Sequence, residues 1–196
     1  GAGELLGDDQ SGQIHEIGYT LYTEMLERAV KSLKQGKEPM LDKPMRSGIE
    51  IDLGVPALLP QDYIFDVHTR LMLYKRIANT IDAADLKELQ VELIDRFGLL
   101  PDAAKHLFAI AELKLKIAHI GIARIKCNPE TGFIVFTDSP QIAPDKLIRL
   151  IQLQSKIFGF DGKNKLSFRH GCNTIQHQIH FLENLLLNEL IANKAA

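Results

Sequence analysis

From residue 13 to residue 35 the apolar positions Ile14, Ile17, Leu21, Met25, Ala29 and Leu33 recur at steps of three and four. That spacing predicts an amphipathic helix with one buried stripe, and Gly36 stands where a residue just past a helix end is expected. Residues 36–48 hold Pro39, Pro44 and basic side chains among few apolar ones, which reads as a linker. The chain is therefore divided into residues 1–46 and residues 47–196. After the linker Ile49, Ile51 and Leu53 alternate with Glu50 and Asp52, the pattern of a half-buried strand, and Pro56 and Pro60 bracket a turn.

A helix is expected from Asp66, its N-cap, with Val67, Leu71, Tyr74 and Ala78 on one face. A second runs from Asp82 to Phe97 with Leu86, Leu89, Leu93, Ile94 and Phe97 buried, and Gly98 ends it. Pro101 opens a third, whose stripe includes Ala104, Leu107, Phe108, Ala111 and Leu115, and Gly121 closes it. The period then changes. Ile122 to Cys127 and Phe133 to Thr137 are β-prone runs around Asn128-Pro129-Glu130-Thr131-Gly132, a hairpin pattern. Pro144 to Ser155 reads as a short helix, and residues 157–160 and 166–168 flank a second hairpin turn. A last helix over Thr174 to Leu190 presents Ile175, Ile179, Leu182 and Leu186. Helices followed by hairpins give an α+β class: a helical N-terminal segment, then several helices packed on a small, mainly antiparallel sheet.

Charge narrows the function classes. The 196 residues carry 23 basic and 25 acidic side chains, a net charge of −2, which argues against a surface that binds nucleic acid all over. Cys127 and Cys172 are the only cysteines, and their spacing matches no disulfide or zinc framework; a reducing cytosol is the expected setting. The apolar runs are too short to cross a bilayer, and no signal-peptide pattern opens the chain. The start at Gly1-Ala2-Gly3 without Met is that expected of a piece of a longer protein.

Catalytic candidates are sparse. There is no Walker-type phosphate loop and no Gly-x-Gly-x-x-Gly, and the glycines of residues 1–7 follow no strand. His170, Cys172, His177 and His180 gather near the C-terminus, but no Cys-x-x-Cys accompanies them, so no metal is expected. Asp8, Ser11 and His15 are close in sequence only, which does not define a triad. Glu88, Glu92 and Asp95, spaced four and three apart, line one face of the second helix. A solvated face is the plain reading; a docking surface for a basic partner, ending at Arg96 and Phe97, is the sharper one. Arg70, Lys75, Arg76, Lys114 and Lys116 offer a set of phosphate contacts as an alternative.

Residues 1–12, GAGELLGDDQSG, resemble the end of the translocation motif shared by transcription-repair coupling factors and the RecG branch-migrating helicase, and residues 18–26 continue that pattern. Pro56-Ala57-Leu58-Leu59-Pro60, Arg70-Leu71, Tyr74-Lys75-Arg76-Ile77-Ala78 and Glu92-Leu93-Ile94-Asp95-Arg96-Phe97-Gly98 are similar to the C-terminal domain of coupling factors alone. The resemblance fades after about residue 140. It implies an ATP-driven DNA translocase that pushes stalled RNA polymerase and recruits the excision-repair protein UvrA. The motor, with its ATP and Mg²⁺, would lie upstream of Gly1, leaving no cofactor and no catalysis to this chain. Gly3, Gly7, Gln10 and Gly12 would belong to the translocation motif, with Gln10 at the glutamine that relays hydrolysis into movement. The C-terminal domain would pack on the N-terminal UvrA-binding module and mask it, with Glu92, Asp95, Arg96 and Phe97 in the docking surface.

Overall fold

The alternating segments resolve into one five-stranded sheet with helices against a single face. A computed structural model of the protein describes residues 48–162 and 164–191. The expected helix over 13–35, the linker, the division at residue 46 and the motif positions Gly3, Gly7, Gln10 and Gly12 lie outside the described residues. The order is β1 (Glu50–Asp52), α1 (Val67–Ala78), α2 (Ala83–Phe97), α3 (Asp102–Ile117), β2 (Ile122–Cys127), β3 (Thr131–Phe136), α4 (Pro144–Leu153), β4 (Phe158–Asp161), β5 (Lys165–Arg169) and α5 (Ile175–Glu183), the last continuing as a π-helical stretch, Asn184–Glu189. The strands run β1-β2-β3-β5-β4 across the sheet. Only β1–β2 is parallel; the other pairs are antiparallel. The class is α+β, as expected.

Alternation puts Ile125, Ile134 and Leu166, directly opposed on three strands, on the helix-covered face, all three at 0% exposure. The next inward row is Cys127, Gly132, Phe168 and Phe158. A Cβ on Gly132 would stand 2.6 Å from the Phe168 ring and 2.8 Å from Cys127 Sγ, so a glycine lets that ring lie across β3.

Helix α3 is apolar on two nearly opposite sides. Ala104, Leu107 and Phe108 join α1 and α2 in a helical core with Leu73, Ile77, Leu86, Leu89 and Leu93. Ile110, Leu113 and Ile117 join the sheet core with α4, α5 and the inner strand residues. The prolyl segment 56–60 is bonded to both α1 and α3. Leu58 N–H donates to Ala103 O at 3.1 Å, Leu59 N–H donates to the Tyr74 hydroxyl at 2.8 Å, and His106 Nδ1 lies 2.9 Å from Pro56 O.

Three details depart from the periodic reading. In α1 the buried residues are Leu73 and Ile77, whereas Val67 is 45% exposed and Ala78 also faces solvent. The helix is turned by about one residue because Tyr74 and Arg70 hold the preceding loop; Arg70 donates to Ile64 O and Phe65 O at 2.7 and 3.2 Å. Ile94 is 38% exposed because Leu93, 100° away around the helix, already fills the core position. The last helix widens after Glu183, with Leu190 N–H donating to Leu185 O five residues back. That widening buries Leu185, Leu186 and Leu190 together.

Gly121, after α3, has φ +86, and an added Cβ would approach Pro140 Cα to 2.9 Å and Thr137 Oγ1 to 2.8 Å. Both strain and overpacking oppose a side chain there, so Gly121→Ala is expected to destabilise the protein by about 2–4 kcal/mol. Urea denaturation checks this; a midpoint within error of wild type would refute it.

Candidate docking surface

Helix α2 begins where Asp82 Oδ1 accepts from Ala84 N–H and Asp85 N–H, and ends at Gly98, φ +89, whose N–H donates to Ile94 O. At 100° per residue, Glu88, Val91 and Asp95 point outward together, Ile94 flanks them, and Glu92 and Arg96 turn toward α1. Val91 is 50% exposed and Leu99, just past the helix end, 85% exposed. The end of α2 is thus a mixed acidic and apolar surface. Sequence reasoning missed Val91 and Leu99. The one hint was the adjacent pair Leu99-Leu100, of which only one leucine, the buried Leu100, can enter the core.

Glu92 is differently employed. Arg76 of α1 reaches it with both guanidinium nitrogens, Nη1 to Oε1 at 2.8 Å and Nη2 to Oε2 at 2.6 Å, and Arg96 Nη1 adds a third bond to Oε1 at 2.9 Å. The Arg76 hydrogen bonds, then those of Arg96, hold the Glu92 carboxyl down at about 2. The same pairing raises Arg76. The guanidinium of Arg96 also lies 4.8 Å from the centre of the Phe97 ring. Phe97 meets Tyr63 edge-on at 6.0 Å, and the Tyr63 hydroxyl donates to Gly98 O at 2.8 Å. The structure therefore brings Glu92, Arg96 and Phe97 into one brace against α1 and the loop before it, and leaves Asp95 exposed beside them.

Part of the alternative basic set is committed inside the fold. Arg70 holds the 64–65 carbonyls, Arg76 holds Glu92, and Lys116 pairs with Glu112 at 3.0 Å and Glu183 at 2.7 Å. The C-terminal histidine and cysteine positions are near one another. His170 Nδ1 accepts from Cys172 N–H at 3.1 Å and its ring packs on Phe168 and Phe181. His177 and His180 line a shallow depression with Cys172. Burial lowers His170 and raises the Cys172 thiol, and burial pushes Cys127 up to about 12. Neutral thiols are poor ligands and nucleophiles. Among the described residues no group of three or more His, Cys, Asp or Glu is placed to hold a metal ion. No helix among them is long and apolar enough to cross a membrane. Asp8, Ser11 and His15 lie outside the described residues.

The described residues thus form an α+β domain in which α2 ends in a braced, partly apolar and acidic surface. Comparison with known proteins gives it a family. The TRCF domain matches residues 53–147. The transcription-repair-coupling factor of Haemophilus influenzae is 49% identical over 186 residues, 95% of this chain and 16% of that protein. The Escherichia coli protein of the same name is 42% identical over 196 residues, 100% of this chain and 17% of that protein. A crystal structure of the C-terminal domain of transcription-repair coupling factor superposes with a TM-score of 0.55 at 23% identity, covering 67% of this chain and 85% of that one, a likeness of fold. The chain belongs to the transcription-repair coupling factor family, and it matches the C-terminal part of that protein. It spans about a sixth of the length of these two relatives. The likeness to relatives runs well beyond residue 140, where the motif resemblance fades.

The lowered Glu92 sets a pH dependence. A carboxyl held below its unfolded value stabilises the fold above about pH 4.5 and loses that contribution as pH falls toward 2. With a third of the side chain exposed, screening limits the contribution to on the order of 1 kcal/mol. Glu92→Gln is expected to lower stability by that amount at pH 7 and by less than half of it near about pH 3. Urea unfolding at the two pH values measures this, and a pH-independent difference would contradict it.

Proposed function

We propose that this chain is the autoregulatory C-terminal part of a transcription-repair coupling factor. It docks on the N-terminal UvrA-binding module of the same protein and masks it until the upstream motor engages stalled RNA polymerase. The observation that carries this reading is the exposed face of Val91, Asp95 and Leu99 at the braced end of α2. Leucine and valine offer area to bury, and Asp95 with Glu88 offers charge to a basic partner. The brace supports it too. A helix end fixed by Arg76, Glu92 and Arg96 loses little freedom on docking. In this reading Glu92 acts chiefly by holding the surface in shape, and Asp95 is the carboxylate that meets the partner.

Masking is then a two-state equilibrium. A coupling of about 1–3 kcal/mol is enough to be useful, because the two pieces share one chain and meet at an effective concentration near the millimolar range. Motor rearrangement shifts the population to the open form, which binds UvrA. ATP and Mg²⁺ belong, on the family resemblance, to the motor; this chain contains no phosphate loop to hold them, and no catalytic step is assigned to it. DNA and RNA polymerase are contacted through the full-length protein, in the cytoplasm. The accessory DNA-binding alternative built on Arg70, Arg76 and Lys116 is weakened by the internal partners of those three residues.

Calorimetric titration of this chain with the UvrA-binding module should give weak, measurable binding. Asp95→Ala and Leu99→Ser should each weaken it by about tenfold, the size expected for an interface residue worth 1–2 kcal/mol, without moving the unfolding midpoint. Absence of binding at millimolar concentration would overturn the masking role. Binding indifferent to both substitutions would move the interface elsewhere.

A further inference from the structure

The face of the sheet away from the helices carries a second surface. Lys126, Phe133, Ser167 and Gly159 are directly opposed on β2, β3, β5 and β4. They form a row about 14 Å across, from three strand spacings. This row is the floor of a groove of about 880 Å³, walled by Asn128, Thr131, Lys156 and Arg169. Three of its lining residues are basic, Lys126, Lys156 and Arg169, and none is Asp or Glu. All three are exposed, and none makes an ion pair with a carboxylate among the described residues. Arg124, one row away and outside the groove, is by contrast paired with Glu50 at 2.9 Å. Asp52 stands opposite Lys126 on β1, just outside the groove, so the basic character belongs to the lining itself, a local departure from the chain's net charge of −2.

The groove also holds an aromatic ring. Phe133 is half-buried on the floor, with Lys165 Nζ 4.6 Å from its centre. Gly159 adds no side chain beside Ser167, so the floor is low at the β4 end. Of the wall, Asn128 and Thr131 are already engaged with each other and with the backbone of 130–131. Asn128 Oδ1 accepts from Glu130 N–H and Thr131 N–H, and its amide donates to Thr131 Oγ1. What the groove offers a ligand is therefore cations, two serine hydroxyls (Ser155 and Ser167) and a ring over which the flexible Lys165 ammonium has to move aside for a base.

We infer that this groove holds a short stretch of single-stranded DNA, its phosphates on Lys126, Lys156 and Arg169 and a base against Phe133. Cations along a β-sheet with an aromatic platform suit a flexible strand that presents both phosphate and an unstacked base. A duplex hides its base faces, and an acidic peptide makes no use of the ring. Two hydroxyls are too few to read a base sequence, and the cations and the ring, which carry the contact, are met in full by a deoxy strand. The groove lies on the sheet face turned away from α3, and α2 lies across α3 from the sheet, so the inference stands apart from the docking surface.

The test is fluorescence anisotropy of a labelled oligothymidine of about 12 nucleotides, a length within the usual site sizes of sheet-based single-strand binders. It is titrated with the whole chain at low salt. Weak binding is expected, with log K falling against log salt at a slope of about −2, as three phosphate contacts on a single strand imply. The triple variant Lys126→Glu, Lys156→Glu, Arg169→Glu should lose binding at least tenfold. Lys87→Glu, Lys105→Glu, Arg149→Glu, with the same change in net charge on other faces, should retain it. Phe133→Leu, which keeps apolar cover beneath Lys165, should weaken binding about tenfold, the loss of one stacked base. An RNA of the same sequence should bind no more tightly. No binding at millimolar protein, equal loss in the control variant, equal binding of duplex DNA or polyglutamate, or tenfold preference for RNA would each overturn the inference.

Discussion

Everything described here is arranged around one helix that has to be apolar on two sides. Phe108 on one side of α3 and Leu113 and Ile117 on the other are each no more than 1% exposed. A helix serving a single core needs one stripe and can give its opposite side to solvent. Here the second stripe ties the α1–α2 pair to the sheet, and the position of either unit depends on the other through α3. Its charged residues are pushed to the narrow flanks, where Lys116 bridges Glu112 and Glu183 and so fastens α3 to α5 as well.

The most specific motif in the sequence acquires a division of labour from this frame. In Glu92-Leu93-Ile94-Asp95-Arg96-Phe97-Gly98, Leu93 is wholly buried, Glu92 and Arg96 form the ionic brace with Arg76, Phe97 meets Tyr63, and Gly98 ends the helix at positive φ. Only Ile94 and Asp95 are left to face outward. Five of seven positions thus have an internal structural reason, so a docking role cannot be read from the motif as a whole. Energetically the brace is modest, because surface ion pairs contribute little each. Its geometry matters more: two guanidinium groups on one carboxylate fix where the helix ends, and with it where Asp95 and Leu99 stand.

How much of this the sequence disclosed follows the range of the interactions. Caps, turns and periodicity are local, and they placed α2, α3, α4, both hairpins and the strand at β1. The face of α1 was misread because Tyr74 and Arg70 are fixed by a loop several to fifteen residues away, and periodicity does not register such bonds. The widening at 184–189 was invisible for a related reason: it serves the packing of Leu185, Leu186 and Leu190 under the sheet, a tertiary demand. The acidic run on α2 was legible as a pattern, but the two arginines that neutralise Glu92 were not, since Arg76 lies on another helix. The groove was least legible of all. Its floor joins residues 126, 133, 159 and 167, each an ordinary polar or half-buried position in its own strand, and only the register of four strands sets them in a row.

That placement has a consequence for how the two surfaces relate. The outward side of α2 and the outer side of the sheet are separated by α3 and the sheet itself, so one flat partner cannot cover both. One surface is acidic and apolar, the other basic with a single ring, and each repels what the other attracts. Occupying one leaves the other open to solvent, and any coupling between them has to pass through the packing of α3. Protein interiors are close-packed and of low compressibility, so they transmit strain, and packed cores switch between discrete arrangements instead of deforming continuously. With both stripes of α3 fully buried, there is little slack for a shift in one core that spares the other. The packing of α3 thus joins the two faces in one unit: on the reading proposed above, regulation is by displacement of the whole domain, and a change of shape inside it has to move both cores of α3 together.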